Sequence, residues 1–395
     1  MTLRIDAARV LVDAQTEVAP GTVVCDGDRI AWVGATADAP DADERIELPE
    51  AVLMPGLVNA HVHTDLSHLQ GAVPFEGDFS AWLRGVTAGR AQGGGAGAAL
   101  LRQALARGTT SFGDIVPPAS FDESTAAFEE SGARGRLFIE AIGFQPERAD
   151  EVYERVWELM EMRAVPDRVV TGVSPHAPYS VSRPLLGRLV AVAEGHQRPL
   201  AIHVAETLEE LAFLRHGIGP LRDMLREFGV DDPNFEPERS LTAFLEQLTL
   251  LNAPLLLIHA NYMRPSDVPP RATVVYCPTA HHFFNHPQHP ALEFMQEGVR
   301  VALGSDSAAS GDTIDLLSET QFLSRARMDL EPKAVFRMAT EWGARALDLD
   351  VGALHVGKLA DLAAFTPDAR YGTLGRSDAE CVLTVVGGTV LHRSK

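Results

Sequence analysis

Two histidines one residue apart, His61 and His63, end a short apolar run that begins at Leu57. Side chains at positions i and i+2 of a strand point to the same side, so one strand end can present both imidazoles to one ion. Imidazole is a common ligand of zinc and of ferrous iron. A His-x-His pair alone is weak evidence, and it raises the question of which residues complete such a site.

Three further apolar runs end in residues that bind metals or transfer protons. In chain order these residues are His203 with Glu206, His259 and Asp306. Each alone is compatible with a hydrogen-bonded structural residue, but together they are better explained by one shared site. Three histidines and a carboxylate suit zinc or ferrous iron, and such an ion lowers the pKa of bound water from about 15.7 towards ~7. Glu206 is not needed as a ligand and is free to carry protons.

The elements that must position these residues alternate between strands and helices. Apolar runs of strand length occur at 57–62, 109–115, 136–142, 169–174, 199–204, 255–260, 272–277 and 299–304. Between them lie amphipathic helical patterns, such as the one at 151–163. Eight such units are typical of a (β/α)₈ barrel, whose chemistry lies at the C-terminal ends of its strands. We therefore predict an α/β fold with a metal-dependent, TIM-like catalytic barrel over residues 55–351.

The two ends of the chain show hairpin patterns instead. Asp26-Gly27 separates two β-type runs near the N-terminus, and Gly387-Gly388 does the same near the C-terminus. Such dipeptides between apolar runs are strong indications of a β-hairpin. We predict that residues 1–54 and 352–395 together form a small β-sandwich.

The densest group of histidines follows the seventh apolar run, in the segment 277–290. Its members are His281, His282, His286 and His289. Other strand ends already supply the ligands, so we interpret this segment as part of the substrate pocket or its cover. Its three prolines predict a bent path without a helix. Phe283 offers an apolar face to a heterocycle, and His281 is the expected substrate contact because it lies nearest the strand end.

Composition limits the partners of the chain. A net charge of −20 over 395 residues disfavours nucleic acid and anionic membrane surfaces. No apolar run approaches the ~18 residues that span a membrane, and no signal-peptide pattern is present. Three scattered cysteines suggest reduced thiols, so we expect a cytoplasmic protein that acts on a small-molecule substrate.

These strand-end residues, with the lead-in 54–60 and the stretch 357–362, closely resemble the amidohydrolase superfamily. Within it, the chain is most similar to the mononuclear aminohydrolases, which include cytosine, guanine and adenosylhomocysteine-type deaminases. The resemblance covers almost the whole chain, and it implies the metal ligands His61, His63, His203 and Asp306.

The resemblance also implies the remaining roles at the centre. Glu206 relays a proton from the bound water to the ring nitrogen, His259 orients the water, and Asp306 doubles as a base. The end of the fourth strand, 172–180, lacks the lysine that bridges two metals in binuclear members. One divalent metal is therefore expected, with zinc favoured over iron.

The activity that the resemblance implies is hydrolytic deamination of an aminated N-heterocycle, with His176 and Trp82 among the substrate contacts. A structural role for His176 is the alternative. A chlorohydrolase or a cyclic-amide or imidazolone hydrolase is the alternative activity, since it uses the same metal. A non-enzymatic scaffold should have lost ligands, and none is missing. Superfamily resemblance also favours a homodimer.

The substrate class is narrowed by one departure from adenosylhomocysteine-type deaminases and by two likenesses to another group. Adenosylhomocysteine-type deaminases hold the ribose hydroxyls with a glutamate where this chain has Ala81, which argues against that substrate. The insertion 217–250 and the histidine-rich segment resemble aminodeoxyfutalosine deaminases instead. Their substrate carries an acidic aromatic tail, so a pocket cation is expected, with Arg84 and Arg148 as candidates.

Overall fold

The computed structural model describes residues 1–311, 313–366, 374 and 378–394. Positions 367–373, 375–377 and 395 of the predicted terminal sandwich lie outside the described residues. The strands are β1 (Thr2–Leu11), β2 (Glu17–Val18), β3 (Gly21–Asp26), β4 (Arg29–Ala35), β5 (Glu44–Pro55), β6 (Leu57–His63), β7 (Thr109–Val116), β8 (Arg134–Ala141), β9 (Val169–Pro175), β10 (Leu200–Val204), β11 (Leu255–His259), β12 (Thr273–Tyr276), β13 (Arg300–Leu303), β14 (Asp306–Ser307), β15 (Leu362–Phe365), β16 (Cys381–Val386) and β17 (Thr389–Arg393).

Helices fill most of the connections between the parallel strands. They are α1 (Phe79–Arg90), α2 (Gly97–Leu105), α3 (Phe121–Ser131), α4 (Ala149–Met162), α5 (Arg183–Gly195), α6 (Leu208–His216), α7 (Pro220–Glu227), α8 (Leu241–Leu245), α9 (Pro278–Phe283), α10 (Ala291–Gln296), α11 (Leu316–Ala326), α12 (Pro332–Ala339) and α13 (Glu341–Ala346). The helical pattern predicted at 151–163 corresponds to α4, whose buried side includes Val156, Leu159 and Met160.

The parallel strands form the predicted barrel, and they pair in chain order from β6 to β13. Every residue of β6 and β7 is buried, as expected for strands covered on both faces. The eighth strand is split in two: β13 pairs with β12, whereas β14 pairs with β6. This split strand joins the last strand to the first. The predicted TIM-like fold class is confirmed.

Asn59 stabilises this junction between the first and last barrel strands through hydrogen bonds. Its amide nitrogen donates to Ser305 Oγ at 2.8 Å and to the Ile314 carbonyl at 2.9 Å. Its amide oxygen accepts from the backbone N–H groups of His61 and Ser305, both at 3.2 Å. A fully buried amide with four hydrogen bonds is well satisfied, so it holds the strand that carries His61 against the strand that leads to Asp306.

The chain termini form one separate eight-stranded sheet from β1–β5 and β15–β17. The hairpins β3–β4 and β16–β17 are where the glycine-containing turns predicted them. Alternate residues of β1, Leu3 and Ile5, share a core with Leu383 and Val385 of β16. Because strands distant in the sheet order share this core, the sheet curls around its own apolar side chains.

A buried ion pair connects this sheet to the barrel. Arg134, at the start of β8, donates to both oxygens of Asp361, at 2.7 and 2.9 Å. The backbone N–H of Gly387 donates to the same carboxylate at 2.8 Å. The bidentate geometry satisfies both charged groups away from water, so the sheet packs against the N-terminal end of β8, opposite the strand ends that carry the histidines.

The histidine-rich segment differs from its prediction. The expectation that its prolines exclude a helix was wrong, because α9 spans Pro278–Phe283. Pro278 lies in the first turn, where a helix needs no N–H from its residue and the fixed φ of proline is favourable. His281 and His282 therefore lie on a short helix, and the bent path begins only after Phe284.

Within the described residues, none of the helices combines the length and the apolar character needed to cross a lipid bilayer.

Candidate metal centre and active site

Four predicted metal-binding side chains converge at the C-terminal ends of three strands. Nε2 of His63 lies 3.3 Å from Nε2 of His203, and Nε2 of His61 lies 3.3 Å from Oδ1 of Asp306. Nε2 of His63 is 3.7 Å from the same oxygen. Ligands at about 2.0–2.1 Å from a tetrahedral zinc ion lie about 3.3 Å from one another. Two sets of donor atoms each lie within 4.8 Å of one another, those of His61, His63 and Asp306 and those of His61, His203 and His259. This spacing suits a metal ion, and His61 belongs to both sets.

The imidazoles are held in the form that binds a cation. Nδ1 of His203 lies 2.9 Å from the backbone carbonyl of His176. A carbonyl only accepts, so Nδ1 carries the proton and the lone pair of Nε2 faces the other donors. Burial, followed by the charges of neighbouring histidines, holds the pKa of His63 and that of His203 well below the ordinary value. Both rings are therefore neutral at physiological pH.

Asp306 provides the anionic donor of this set. Burial alone would raise its pKa, but the hydrogen bond with His61 and the nearby imidazoles lower the pKa below its ordinary value. Its second oxygen, Oδ2, accepts a hydrogen bond from Ser310 Oγ at 2.6 Å. Asp306 is therefore ionised and held in one orientation, in which Oδ1 faces the histidine side chains.

Glu206 and His259 face each other beside these donors. Nε2 of His259 lies 3.6 Å from Oε1 of Glu206. Burial, then the charges of Asp306 and Glu210, raises the pKa of Glu206 well above its ordinary value. Burial lowers the pKa of His259 to about 3. Both shifts favour the uncharged forms, and a carboxyl beside an imidazole is a suitable arrangement for giving and receiving a proton.

Three residues of the site have backbones in the left-handed region. Their φ angles are +48° for Ala205, +67° for His259 and +61° for Asp306. Non-glycine residues enter this region at a cost, and they remain there when surrounding contacts hold them. At the end of β10 the contact is Glu210, whose carboxylate accepts from the N–H groups of Ala205 at 2.8 Å and Glu206 at 3.0 Å.

His289 supports the end of β11 in a similar way. Its Nε2 lies 2.8 Å from the His259 carbonyl, and its ring stacks on Tyr276 at a centroid distance of 4.0 Å. The carbonyl of His289 in turn accepts from Arg327 at 2.7 Å. His289, a member of the histidine-rich segment, thus positions His259 by a hydrogen bond to its backbone.

The donors open into a small chamber of about 70 Å³. Helix α1 forms one wall through Phe79, Trp82, Leu83, Val86 and Arg90. His176 and Tyr179, after β9, contribute to the opposite side. The predicted contacts Trp82 and His176 therefore both line the chamber, together with Glu206, His259 and Asp306.

The other predicted contacts lie elsewhere. The ring of His281 packs on Tyr276 and His286 at centroid distances of 5.5 and 5.4 Å, away from the chamber wall. Phe283 lines a neighbouring cavity of about 460 Å³ and approaches the Trp82 ring at 6.4 Å. Their contact with substrate stays a prediction.

The candidate cations are also outside the chamber. Arg84 pairs with Glu227 at 2.7 Å, and Arg148 pairs with Glu151 at 3.0 Å. Among the described residues that line the chamber, the cation is Arg90, which the sequence did not single out.

Several supporting residues could not be found by pattern alone. Asp114, at the end of β7, accepts from the backbone N–H of Thr64 at 2.9 Å and from its hydroxyl at 2.5 Å, which fixes the chain after His63. Burial raises the pKa of Asp114 to about 8. The one available sequence indication was Thr207-x-x-Glu210, a helix-capping pattern. The pattern marks the start of α6, but not the two N–H groups that the Glu210 carboxylate binds.

Comparison with known proteins identifies the family of this chain. The family model described as "Amidohydrolase family" matches residues 52–391. The chain belongs to the amidohydrolase family. Within it, the aminodeoxyfutalosine deaminase of Deinococcus radiodurans is 33% identical over 350 residues, covering 83% of this chain and 81% of the relative. The 5-methylthioadenosine/S-adenosylhomocysteine deaminase of Halobacterium salinarum is 30% identical over 398 residues, covering 94% and 86%.

A solved deaminase structure shows the same fold. Helicobacter pylori aminofutalosine deaminase in complex with methylthio-coformycin matches with a TM-score of 0.86 at 22% identity, covering 98% of this chain and 99% of that chain. The predicted resemblance is confirmed. This amidohydrolase is a hydrolytic enzyme, and deamination is confirmed as its reaction class by the curated relatives.

Proposed function

We propose that this amidohydrolase hydrolytically deaminates a 6-aminopurine nucleoside, with one zinc ion held by His61, His63, His203 and Asp306. The observation that carries the proposal is the 3.3 Å spacing of two donor pairs, next to a buried glutamic acid that no ligand role requires and whose pKa is raised by burial. Three neutral imidazoles and one carboxylate suit zinc, and ferrous iron is the alternative ion. When bound, the ion supplies an activated water by lowering its pKa towards ~7.

The side chains move the protons of the reaction. Water adds to the ring carbon that bears the amino group, and the carboxyl of Glu206 gives its proton to the adjacent ring nitrogen. His259, 3.6 Å from Glu206, stabilises negative charge on the added oxygen. Asp306 accepts a proton from the added water. Asp306 then passes this proton to the amino group, which leaves as ammonia, and the remaining proton of the added oxygen returns to Glu206. The ring keeps the oxygen as a carbonyl, so atoms and charge balance.

The chamber walls suit a flat heterocycle. Leu66, Phe79, Trp82 and Leu83 give apolar faces, whereas the polar groups lie on the side of the strand ends. Such a division is typical of small-molecule sites, where a few polar groups fix the orientation of an otherwise apolar ligand. Exclusion of water by these walls also strengthens the interactions of Glu206 and Asp306 with the reacting ring.

The class of substrate comes from the relatives. Aminodeoxyfutalosine, 5-methylthioadenosine and S-adenosylhomocysteine, which the two relatives' names give as substrates, are all 6-aminopurine nucleosides with different 5′ substituents. We propose that this enzyme shares the base and the sugar with them. An aminodeoxyfutalosine-like substrate is our first choice among the 5′ substituents, because that relative has the higher identity of the two.

Ammonia release and metal content test the proposal together. The zinc-loaded enzyme is assayed with aminopurines, aminopurine nucleosides bearing different 5′ groups, pterins and chlorotriazines. We expect ammonia from nucleosides alone. Glu206→Gln should retain about one metal per chain and lower kcat by roughly 10²–10⁴-fold, because the proton donor is lost while the ligands stay. Glu129→Gln, exposed on α3, is the matched control and should match the wild type.

Two outcomes would contradict the proposal. Near-normal turnover by Glu206→Gln removes the proton relay from the mechanism. Chloride release without ammonia release would assign the site to a different hydrolase of this fold.

A further inference from the structure

One buried carboxylate in the chamber has no part in the metal chemistry. Glu140 lies at the end of β8, and it is only 2% exposed. It lines the chamber with Trp82 and His176. No hydrogen-bond donor among the described residues reaches its Oε2 atom. A buried, unsatisfied carboxylate oxygen costs free energy, so its presence at a ligand chamber points to a donor that the ligand brings.

The neighbours of Glu140 leave this oxygen available. Nη1 of Arg90 lies 3.7 Å from Oε2, beyond hydrogen-bond distance. Arg90 is instead bound to Asp65, through Nε at 2.7 Å and Nη2 at 3.4 Å. Nε2 of His176 is 3.9 Å from Oε1 of Glu140. The Arg90 guanidinium therefore places a positive charge near Glu140 but donates no hydrogen bond to its Oε2 atom.

Contacts lead from the metal donors through His176 to Glu140. The His176 ring is 5.1 Å from the ring of His203, and Nε2 of His176 is 3.9 Å from Oε1 of Glu140. His203, His176 and Glu140 all line the chamber. For a nucleoside with its reacting carbon at the donors and its base beside His176, Glu140 is the carboxylate that we expect near the sugar.

Building on the proposed function, we propose that Glu140 binds the 2′ and 3′ hydroxyls of the sugar. A carboxylate has two oxygens and accepts two neighbouring hydroxyls at once, in charge-assisted hydrogen bonds. The other chamber carboxylates, Glu206 and Asp306, face the reacting end. Position 81, on α1, is an exposed alanine and supplies no acceptor.

A second cavity gives the rest of the substrate room. Glu140 and Arg90 also line a neighbouring space of about 530 Å³, whose walls include Pro117, Ile142 and Val152. A 5′ substituent on a sugar held by Glu140 has this space beside it. Glu140, the carboxylate proposed to bind the sugar, thus lies in the wall that the small chamber shares with the larger cavity.

The test compares nucleosides with and without hydroxyls. Adenosine, 2′-deoxyadenosine, 3′-deoxyadenosine and 2′,3′-dideoxyadenosine are assayed with the zinc-loaded wild type, Glu140→Gln and Glu140→Ala. We expect the wild type to prefer adenosine over the dideoxy analogue by roughly 10-fold or more in kcat/KM, since a hydrogen bond to a charged group contributes about that much. In Glu140→Gln, kcat/KM for adenosine should fall while that for the dideoxy analogue stays, so the ratio shrinks. Glu129→Gln, exposed on α3 and outside both cavities, should keep the wild-type ratio.

The outcomes separate this inference from the proposed function. Equal losses with both nucleosides in Glu140→Gln, at unchanged metal content and melting temperature, indicate a structural role and overturn the inference alone. A ratio of kcat/KM for adenosine to kcat/KM for the dideoxy analogue that is unchanged in Glu140→Gln also overturns the inference alone. No ammonia from any nucleoside with the wild type overturns both the inference and the proposed function. The isosteric Gln variant answers the question if Glu140→Ala does not fold.

Discussion

The position of Glu206 depends on a residue four places along the chain. The Glu210 carboxylate binds the N–H groups of Ala205 and Glu206 and holds the left-handed turn that follows β10. Burial raises the pKa of Glu210 to about 7, and the two N–H groups oppose that rise. Glu206, the proposed proton donor, is therefore oriented by the Glu210 side chain, which does not line the chamber.

Glu210→Ala should lower kcat by roughly 10²-fold, because a small misplacement of a catalytic group has costs of that size. Metal content should stay near the wild-type value, since His203 lies on the strand before the turn. Glu210→Gln keeps one acceptor and should recover part of the activity. Steady-state kinetics and metal analysis measure both effects, with Glu129→Ala on the exposed side of α3 as control. Loss of metal in step with activity would assign Glu210 a general structural role instead.

The convergence of the candidate donors could be predicted from the sequence, whereas the residues that support them could not. His61, His63, His203 and Asp306 each follow an apolar run, and parallel strands end together. Glu140 also ends a strand, but its nearest partners, Arg90 and His176, are far from it in sequence. His289 was seen as part of a histidine cluster, and only the packing on Tyr276 shows that it supports His259.

Among the elements, α1 forms the wall of the chamber that we expect to control access. The chamber volume of about 70 Å³ is well below the roughly 300–1,000 Å³ typical of ligand pockets, so a nucleoside enters only if a wall moves. Glycines with left-handed φ angles flank α1, with +92° at Gly77 and +83° at Gly93. Such residues absorb backbone rotation at little cost. We infer that α1 opens as a lid.

Hydrogen exchange should report this motion. In the ligand-free enzyme, amides of α1 should exchange faster than those of β10, because the lid samples open states. Adding the nucleoside substrate to Glu206→Gln should slow exchange across α1 and leave β10 unchanged. Exchange in α1 that is as slow as in β10, with and without nucleoside, would contradict the opening.

The strands were predictable because their apolar runs are uninterrupted and of strand length, and each matches an observed barrel strand within a few residues. The helix α9 was missed for a local reason, since Pro278 was interpreted as a helix breaker although it occupies the first turn. The division of the last strand into β13 and β14 was also not predictable, because β13 pairs with the preceding strand β12, whereas β14 pairs with β6, which is distant in sequence.

At the scale of the whole molecule, the proposed ion joins β6, β10 and β14, which lie far apart along the chain. An ion that binds only the folded protein stabilises it by about 4 kcal/mol at a thousandfold excess over Kd. Removal of the metal by a chelator should therefore lower Tm by roughly 5–10 °C, and zinc should restore it. Differential scanning calorimetry measures the shift.

Two variants distinguish the ligands from the histidine-rich segment. The double variant of His61→Ala and His63→Ala should bind no metal and melt at the temperature of the chelated wild type. The double variant of His281→Ala and His282→Ala should keep the metal and its effect on Tm. Loss of metal from the second variant would show that the segment is part of the metal centre.

The junction made by Asn59, Ser305 and β14 also sets an order of events during synthesis. His61 and Asp306 are separated by 245 positions. At about 5–20 residues per second, the ribosome needs roughly 10 to 50 s to produce the second after the first. Throughout that interval the N-terminal histidine pair has no carboxylate partner from the last strand. The complete proposed ion-binding site therefore exists only in chains whose translation has passed the final barrel strand, so we expect metal loading to follow synthesis of the barrel.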